Sequence, residues 1–129
     1  MGAPLNYDDM VDTLVGRIPA FAESDLGREV LAGSRDLPYV VFGGFASFLN
    51  QLVSSVAPLD PTVQTSFQLL NEMASSADQR IVNLAGTGVF EILTNSSQSI
   101  RVARELLYGP GIDLFERMIQ LWGVDVKDP

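Results

Sequence analysis

The sequence predicts an all-α domain. Three observations carry that expectation. Apolar residues recur at spacings of three and four almost throughout, a helix-start signal precedes each periodic stretch, and strand-like runs are confined to residues 39–42 and 124–126. The first run lies inside a longer helical period, and the second is too short to build a sheet by itself.

Seven helices are expected in order. Asn6 can cap the first, which carries Met10, Val11, Leu14, Val15 and Ile18 on one face before Pro19 stops it. Ser24 or Asp25 can cap a short second helix through Val30 and Leu31, ended by Gly33. Asp36-Leu37-Pro38 starts a third, with proline tolerated in the first turn, and its apolar residues are Phe42, Phe45, Phe48, Leu49, Leu52, Val53 and Val56. Asp60-Pro61 repeats that signal ahead of Val63, Phe67, Leu70, Met73 and Ala74. Asp78 opens the fifth helix. Ser96 or Ser97 caps the sixth, with Ile100, Ala103, Leu106 and Leu107, and Gly109 is placed for its C-terminal cap. Gly111 or Ile112 begins the seventh, with Leu114, Phe115, Met118, Ile119 and Trp122, and Gly123 ends it.

Short connections make consecutive helices antiparallel neighbours. Helices two and three, four and five, and six and seven pair naturally, so the chain reads as stacked helical hairpins of the HEAT type or as a compact bundle. A chain of 129 residues forms one domain and can bury roughly two thirds of its unfolded surface.

The fifth helix is the most informative segment. Residues 80–94 read RIVNLAGTGVFEILT, apolar or small nearly all round, with Arg80, Asn83, Thr87 and Glu91 spaced three, four and four apart. On an α-helix those four side chains share one narrow face. Such a seam either satisfies its own core or is shown to a partner. The third helix carries Ser47, Asn50 and Ser54, and the seventh carries Asp113, Glu116, Arg117 and Gln120, again at spacings of three and four. If the hairpins stack, Asn50, Ser54, Asn83, Thr87, Glu91, Asp113, Glu116 and Gln120 make a shallow, mildly acidic groove for a partner. The plainer reading makes these stripes the solvent faces of amphipathic helices. Glu91, set between Phe90 and Ile92, is the sharpest residue: a carboxylate there is costly to bury unpaired, and Arg80, Arg104 or a partner's cation can meet it. Asp8, Asp9 and Asp12 form a second acidic cluster that complements a helix dipole or recruits a basic partner. Gly43-Gly44 and Gly86 with Gly88 allow close helix approach.

Composition narrows the function. The net charge is −8, which repels phosphate backbones, disfavours nucleic-acid binding and steers the chain toward a basic partner. There are no cysteines and no histidines, so zinc sites and the commonest general base are absent, and no cofactor or metal is expected. No nucleophile elbow or SxxK appears, and the sixteen acids are scattered, so an enzyme is not expected. The uncharged run 37–59 invites a membrane-spanning reading, but Ser47, Asn50, Gln51, Ser54 and Ser55 and the lack of basic flanks favour a buried helix. The N-terminus shows no signal-peptide pattern, and the absence of cysteine fits a reducing, cytoplasmic setting.

The segments NLAGTGVFEILTNSS and ARELLYGPGIDLFERMIQLWG resemble the C-terminal half of small helical bacterial proteins, some of which are immunity proteins of polymorphic toxin systems. The resemblance rests on apolar spacing around Glu91 and Gly109. It implies an all-helical cytoplasmic protein that binds a cognate toxin domain and blocks it, with acidic charge suited to a basic toxin surface. The alternatives are a helical adaptor or regulatory subunit, and a small-molecule binder with Phe42, Phe45, Phe90, Tyr108 and Trp122 lining a cavity.

Overall fold

The computed structural model describes residues 4–57 and 60–121. Among them the chain forms eight α-helices and no strand. A 3-10 turn, Tyr7–Asp9, leads into α1, Met10–Arg17; the Asn6 side chain accepts the Asp8 amide at 2.9 Å and so caps the entry. Pro19 ends α1 as expected and also starts a further helix, α2, Pro19–Glu23, because a proline at the first helical position lacks only an amide that would be unpaired anyway. That short helix brings the expected seven to eight. Ser24 caps α3, Asp25–Ser34, through the Gly27 amide at 3.0 Å.

The apolar run at 37–59 becomes α4, Pro38–Val53, of 16 residues, and no helix among the described residues is long and apolar enough to cross a membrane. Asp60 caps α5, Pro61–Ala74, and Asp78 caps the next helix through the Arg80 amide at 2.9 Å. That helix, α6, runs without a break over residues 79–93: α-helical Gln79–Ala85, π-helical Gly86–Phe90, then α-helical Glu91–Leu93. Ser96 caps α7, Ser97–Leu106. Gly109, at φ +52°, makes the left-handed step in the connection to α8, Pro110–Leu121. Trp122, Gly123 and the run 124–126 lie outside the described residues.

Helix α4 is the centre of the packing. Val41, Phe42, Phe45, Ala46 and Leu49 are fully buried, and the helix touches α1, α3, α5, α6 and α7. Gly44 brings α3 close, since a Cβ there would sit 3.1 Å from Val30. Phe21 of α2 lies edge-on to Phe45 and Phe48, at 5.7 and 5.5 Å between ring centres, so the short extra helix is held by aromatic packing. The row α4, α6, α8 expected of stacked hairpins is present, because the π-helical turn of α6 contacts both neighbours. The last hairpin is not: α8 packs more extensively on α5 than on α7, and α7 leans on α4 and α5. A compact bundle therefore describes the arrangement.

Buried polar groups act as staples. Asn71 of α5 donates to the Leu106 carbonyl at 3.2 Å and accepts the Tyr108 amide at 3.1 Å, fixing the connection between α7 and α8. Gly27 is tighter still, since a Cβ would overlap the carbonyl oxygen of Phe21, which already accepts the Ser24 hydroxyl at 2.6 Å. Gly27→Ala is expected to destabilise the fold by about 2 kcal/mol in denaturant unfolding. Gly16→Ala, an exposed helical position with nothing within 4 Å of the added Cβ, should stabilise it by about 0.5 kcal/mol.

Candidate functional site

The π-helical turn decides where the polar seam of α6 goes. The Glu91 amide donates to the Gly86 carbonyl, five residues back rather than four. Such a turn accommodates one extra residue, so everything after it rotates by about 100° relative to a plain α-helix. Asn83 and Thr87 stay together on the exposed face, whereas Glu91, past the turn, is half-buried. The narrow seam expected from α-helical spacing is thus broken between Thr87 and Glu91. Arg80 bonds Asp78 at 2.9 Å and places its guanidinium 4.7 Å from the centre of the Tyr7 ring. Arg104 grips Glu116 through two bonds of 2.7 and 2.9 Å. Each arginine offered by the sequence as a partner of Glu91 holds another carboxylate.

Asn83 and Thr87 open onto a cleft of about 450 Å³ between α6 and α8. Asp113 and Arg117 line it from α8, one helical turn apart, and Gln79 lines it from α6, donating to Asn83 at 2.9 Å. Val82, Gly86, Leu114 and Met118 also line it. At Gly86 an added Cβ would stand 3.5 Å from the Met118 sulfur and 3.6 Å from Leu114, so the small residue sets how closely α6 and α8 approach.

The other expected site residues lie elsewhere. Asn50 is half-buried and internal: its amide donates to the Ile92 carbonyl at 3.0 Å and accepts the Ser99 hydroxyl, tying α4, α6 and α7 together. Ser54 is exposed at the end of α4, with its hydroxyl bonded to the Gln51 carbonyl at 2.9 Å. Glu116 faces Arg104 of α7. Gln120 lines a depression of about 450 Å³ at the end of α8, next to the cleft through shared Leu114, Arg117 and Met118. Of the eight residues, Asn83, Thr87 and Asp113 are brought together, Gln120 adjoins them, and Asn50, Ser54, Glu91 and Glu116 do not line the cleft.

A second depression, about 640 Å³, lies where the start of α1 meets the connection from α3 to α4, and Tyr7, Asp8, Asp12, Arg35, Asp36 and Pro38 contribute to its lining. Arg35 bonds Asp12 at 2.9 Å. Beside it Leu37, Tyr39 and Val40 are 50%, 44% and 45% exposed. Sequence reasoning placed residues 39–42 inside an apolar helix without separating its faces. The signal was present, since burying Val41, Phe42, Phe45 and Leu49 turns Tyr39 and Val40 outward. Tyr39 flanks α6 on the side away from α8: its ring is 3.5 Å from where a Gly88 Cβ would be. Partial burial, followed by the nearby Tyr7, pushes its phenol above the ordinary tyrosine range.

Phe42, Phe45 and Phe90 are fully buried, with edge-on contacts from Phe42 to Phe45 at 6.2 Å and from Phe90 to Phe115 at 5.3 Å. Tyr108 is 66% exposed, and Trp122 lies outside the described residues. Phe42, Phe45 and Phe90 therefore pack the core and Tyr108 faces solvent, so these four do not line a ligand cavity. Among the described residues no group of three acidic side chains is placed to hold a metal ion.

Compared with protein-family models, curated proteins and solved structures, the chain finds no match.

The Arg104 hydrogen bonds hold the Glu116 carboxyl below its ordinary value of 4.5. A depressed folded-state value means this stabilisation is present above the ordinary glutamate range and lost as pH falls through the lower, folded value. Arg104→Met should return Glu116 toward 4.5 in an NMR titration and remove that part of the acid-side stability change. Asn50→Ala should cost about 1–3 kcal/mol, because it leaves the buried Ser99 hydroxyl without its acceptor and removes one of the donors to the Ile92 carbonyl, which keeps the Asn95 amide. Chemical denaturation measures it.

Proposed function

We propose that the protein is a non-enzymatic binding domain of the immunity type, which engages and neutralises a basic toxin domain in the bacterial cytoplasm through the face centred on α6. The observation that carries this reading is the cleft between α6 and α8. Asn83, Thr87 and Asp113, from two separate helices, open onto it together, while half-exposed Tyr39 flanks the other side of α6. Polar side chains with an exposed aromatic nearby are frequent components of specific protein interfaces. Asp113 and Arg117 present both signs of charge one turn apart, which fixes the register of a complementary partner. The net charge of −8 steers a basic domain toward the surface.

Co-expression with the variable C-terminal domain of a secreted toxin encoded beside this chain tests the reading. The wild-type chain should restore growth and bind the domain. Thr87→Arg with Asp113→Lys should weaken binding by about 2–4 kcal/mol, roughly 30-fold to 1000-fold, and abolish rescue without lowering the melting temperature. Rescue that survives the double substitution removes the cleft from the interface. A chain that neither binds nor rescues overturns the toxin reading.

A further inference from the structure

Helix α4 is buried along most of its length, yet its first turn leaves apolar side chains in water. Leu37, just before the helix, and Val40 within it are 50% and 45% exposed, and Tyr39 between them is 44% exposed. Leu37 and Val40 are three positions apart, so both fall on one side of the helix start. Apolar side chains gathered beside a depression mark an interaction surface more often than a solvated one.

Charge says what covers it. The adjoining depression is lined by the carboxylates of Asp8, Asp12 and Asp36 against the single guanidinium of Arg35. Arg35 is spent on Asp12, Asp36 forms no ion pair within 4.0 Å among the described residues, and Asp8 feels Arg80 only at longer range, outside 4.0 Å. The chain's own arginines show how a cation is received here. Arg35 bonds one carboxylate of the wall at 2.9 Å, and Arg80 lies over the Tyr7 ring. A volume of about 640 Å³ leaves room for a long side chain beside them.

We infer that this face is a second docking surface, and that its occupant is a partner-protein segment in which arginine or lysine stands next to aliphatic residues. The cation enters between Asp8 and Asp36, its stem runs along Val11 and Pro38, and the aliphatic neighbours cover Leu37 and Val40. The inference rests on the reading of the protein as a binding domain but uses none of the cleft residues. A second copy of the chain does not fit, since it would set one acidic face near another on molecules of net charge −8.

A random dodecapeptide library displayed on phage, selected against the full-length chain, provides the probe. Enriched peptides should interleave arginine or lysine with leucine, isoleucine or valine. The most enriched one, followed by fluorescence anisotropy, should lose at least tenfold in affinity on Asp8→Lys with Asp36→Lys, and a similar amount on Val40→Ser. Asp8→Asn with Asp36→Asn should give a smaller loss in the same direction, guarding against misfolding of the charge-reversed variant. Amide shifts on binding should centre on residues 36–41. Absence of enrichment, acidic or uncharged winners, equal binding by an oligoarginine peptide, or affinity unchanged in the aspartate variants each overturns the inference. Thr87→Arg should leave peptide binding intact, so failure of the cleft reading and failure of this one give different results.

Discussion

Helix α6 must lie against α4 on one side and α8 on the other, and this double contact sets most of what is exposed. An added Cβ at Gly86 would already be in contact with α8, one at Gly88 with Tyr39, and one at Gly43 of α4 with Ile92, at 3.5 Å in each case. A methyl group would just touch at these crossings, whereas a side chain larger than alanine would push the helices apart and open the core that Phe42, Phe90 and Phe115 fill. Glycines at helix-interior positions cost about 1 kcal/mol each in propensity. Burial of each large apolar side chain contributes about 1.5–3 kcal/mol, so the packing outweighs that cost. The π-helical turn belongs to the same solution, because it widens the helix where the glycines narrow it.

Charge contributes little to holding this arrangement. The four ion pairs among the described residues, Arg17–Glu72, Arg35–Asp12, Arg80–Asp78 and Arg104–Glu116, all retain substantial exposure. Exposed pairs of that kind add little to stability, because solvent screens the attraction and ordering two long side chains opposes it. The fold rests on apolar burial and on a few internal amides, Asn50 and Asn71 above all, whose hydrogen bonds reach across three elements. The sequence has sixteen carboxylates, and these pairs engage Asp12, Glu72, Asp78 and Glu116. Among the described residues outside these pairs, Asp60 caps α5, and Asp8, Asp9, Glu23, Asp25, Glu29, Asp36, Glu105 and Asp113 are exposed.

The helical class and most helix starts were legible because capping is local: Asn6, Ser24, Asp60, Asp78 and Ser96 each accept an amide two or three residues ahead. Pro19 was read only as a stop, because a proline signals an end and a beginning with the same geometry. The site was legible only in part. A three-four spacing assumes 3.6 residues per turn throughout, and a single π turn breaks that assumption at Glu91 without any unusual residue type to announce it. Asn50 was misplaced for a different reason. A polar residue on an apolar helix looks the same whether it meets solvent or a carbonyl of a helix distant in sequence. The exposed face of Leu37, Tyr39 and Val40 follows from helical periodicity only once Val41, Phe42, Phe45 and Leu49 are assigned to the core, an assignment that hydropathy leaves open in a run apolar on every side.

The two depressions flank the first half of α6, and the seam between them is built from Tyr7, Arg80 and Asp78. Arg80 binds Asp78 at 2.9 Å and rests on Tyr7, a lining residue of the acidic depression, while Gln79 beside it lines the cleft. The Asp78 bond also lowers that carboxylate's affinity for protons and raises Arg80's, so the pair stays charged across the neutral range. A standard interface covers about 800 Å² on each partner, more than either depression supplies by itself. On the proposed reading one partner of ordinary size therefore meets both, with Tyr39 and the Arg80 seam between its two points of contact. The cleft then supplies register through Asp113 and Arg117, and the acidic face supplies attraction. Separating those two tasks lets a surface stay strongly acidic for capture while discriminating among basic partners by the polar groups of α6.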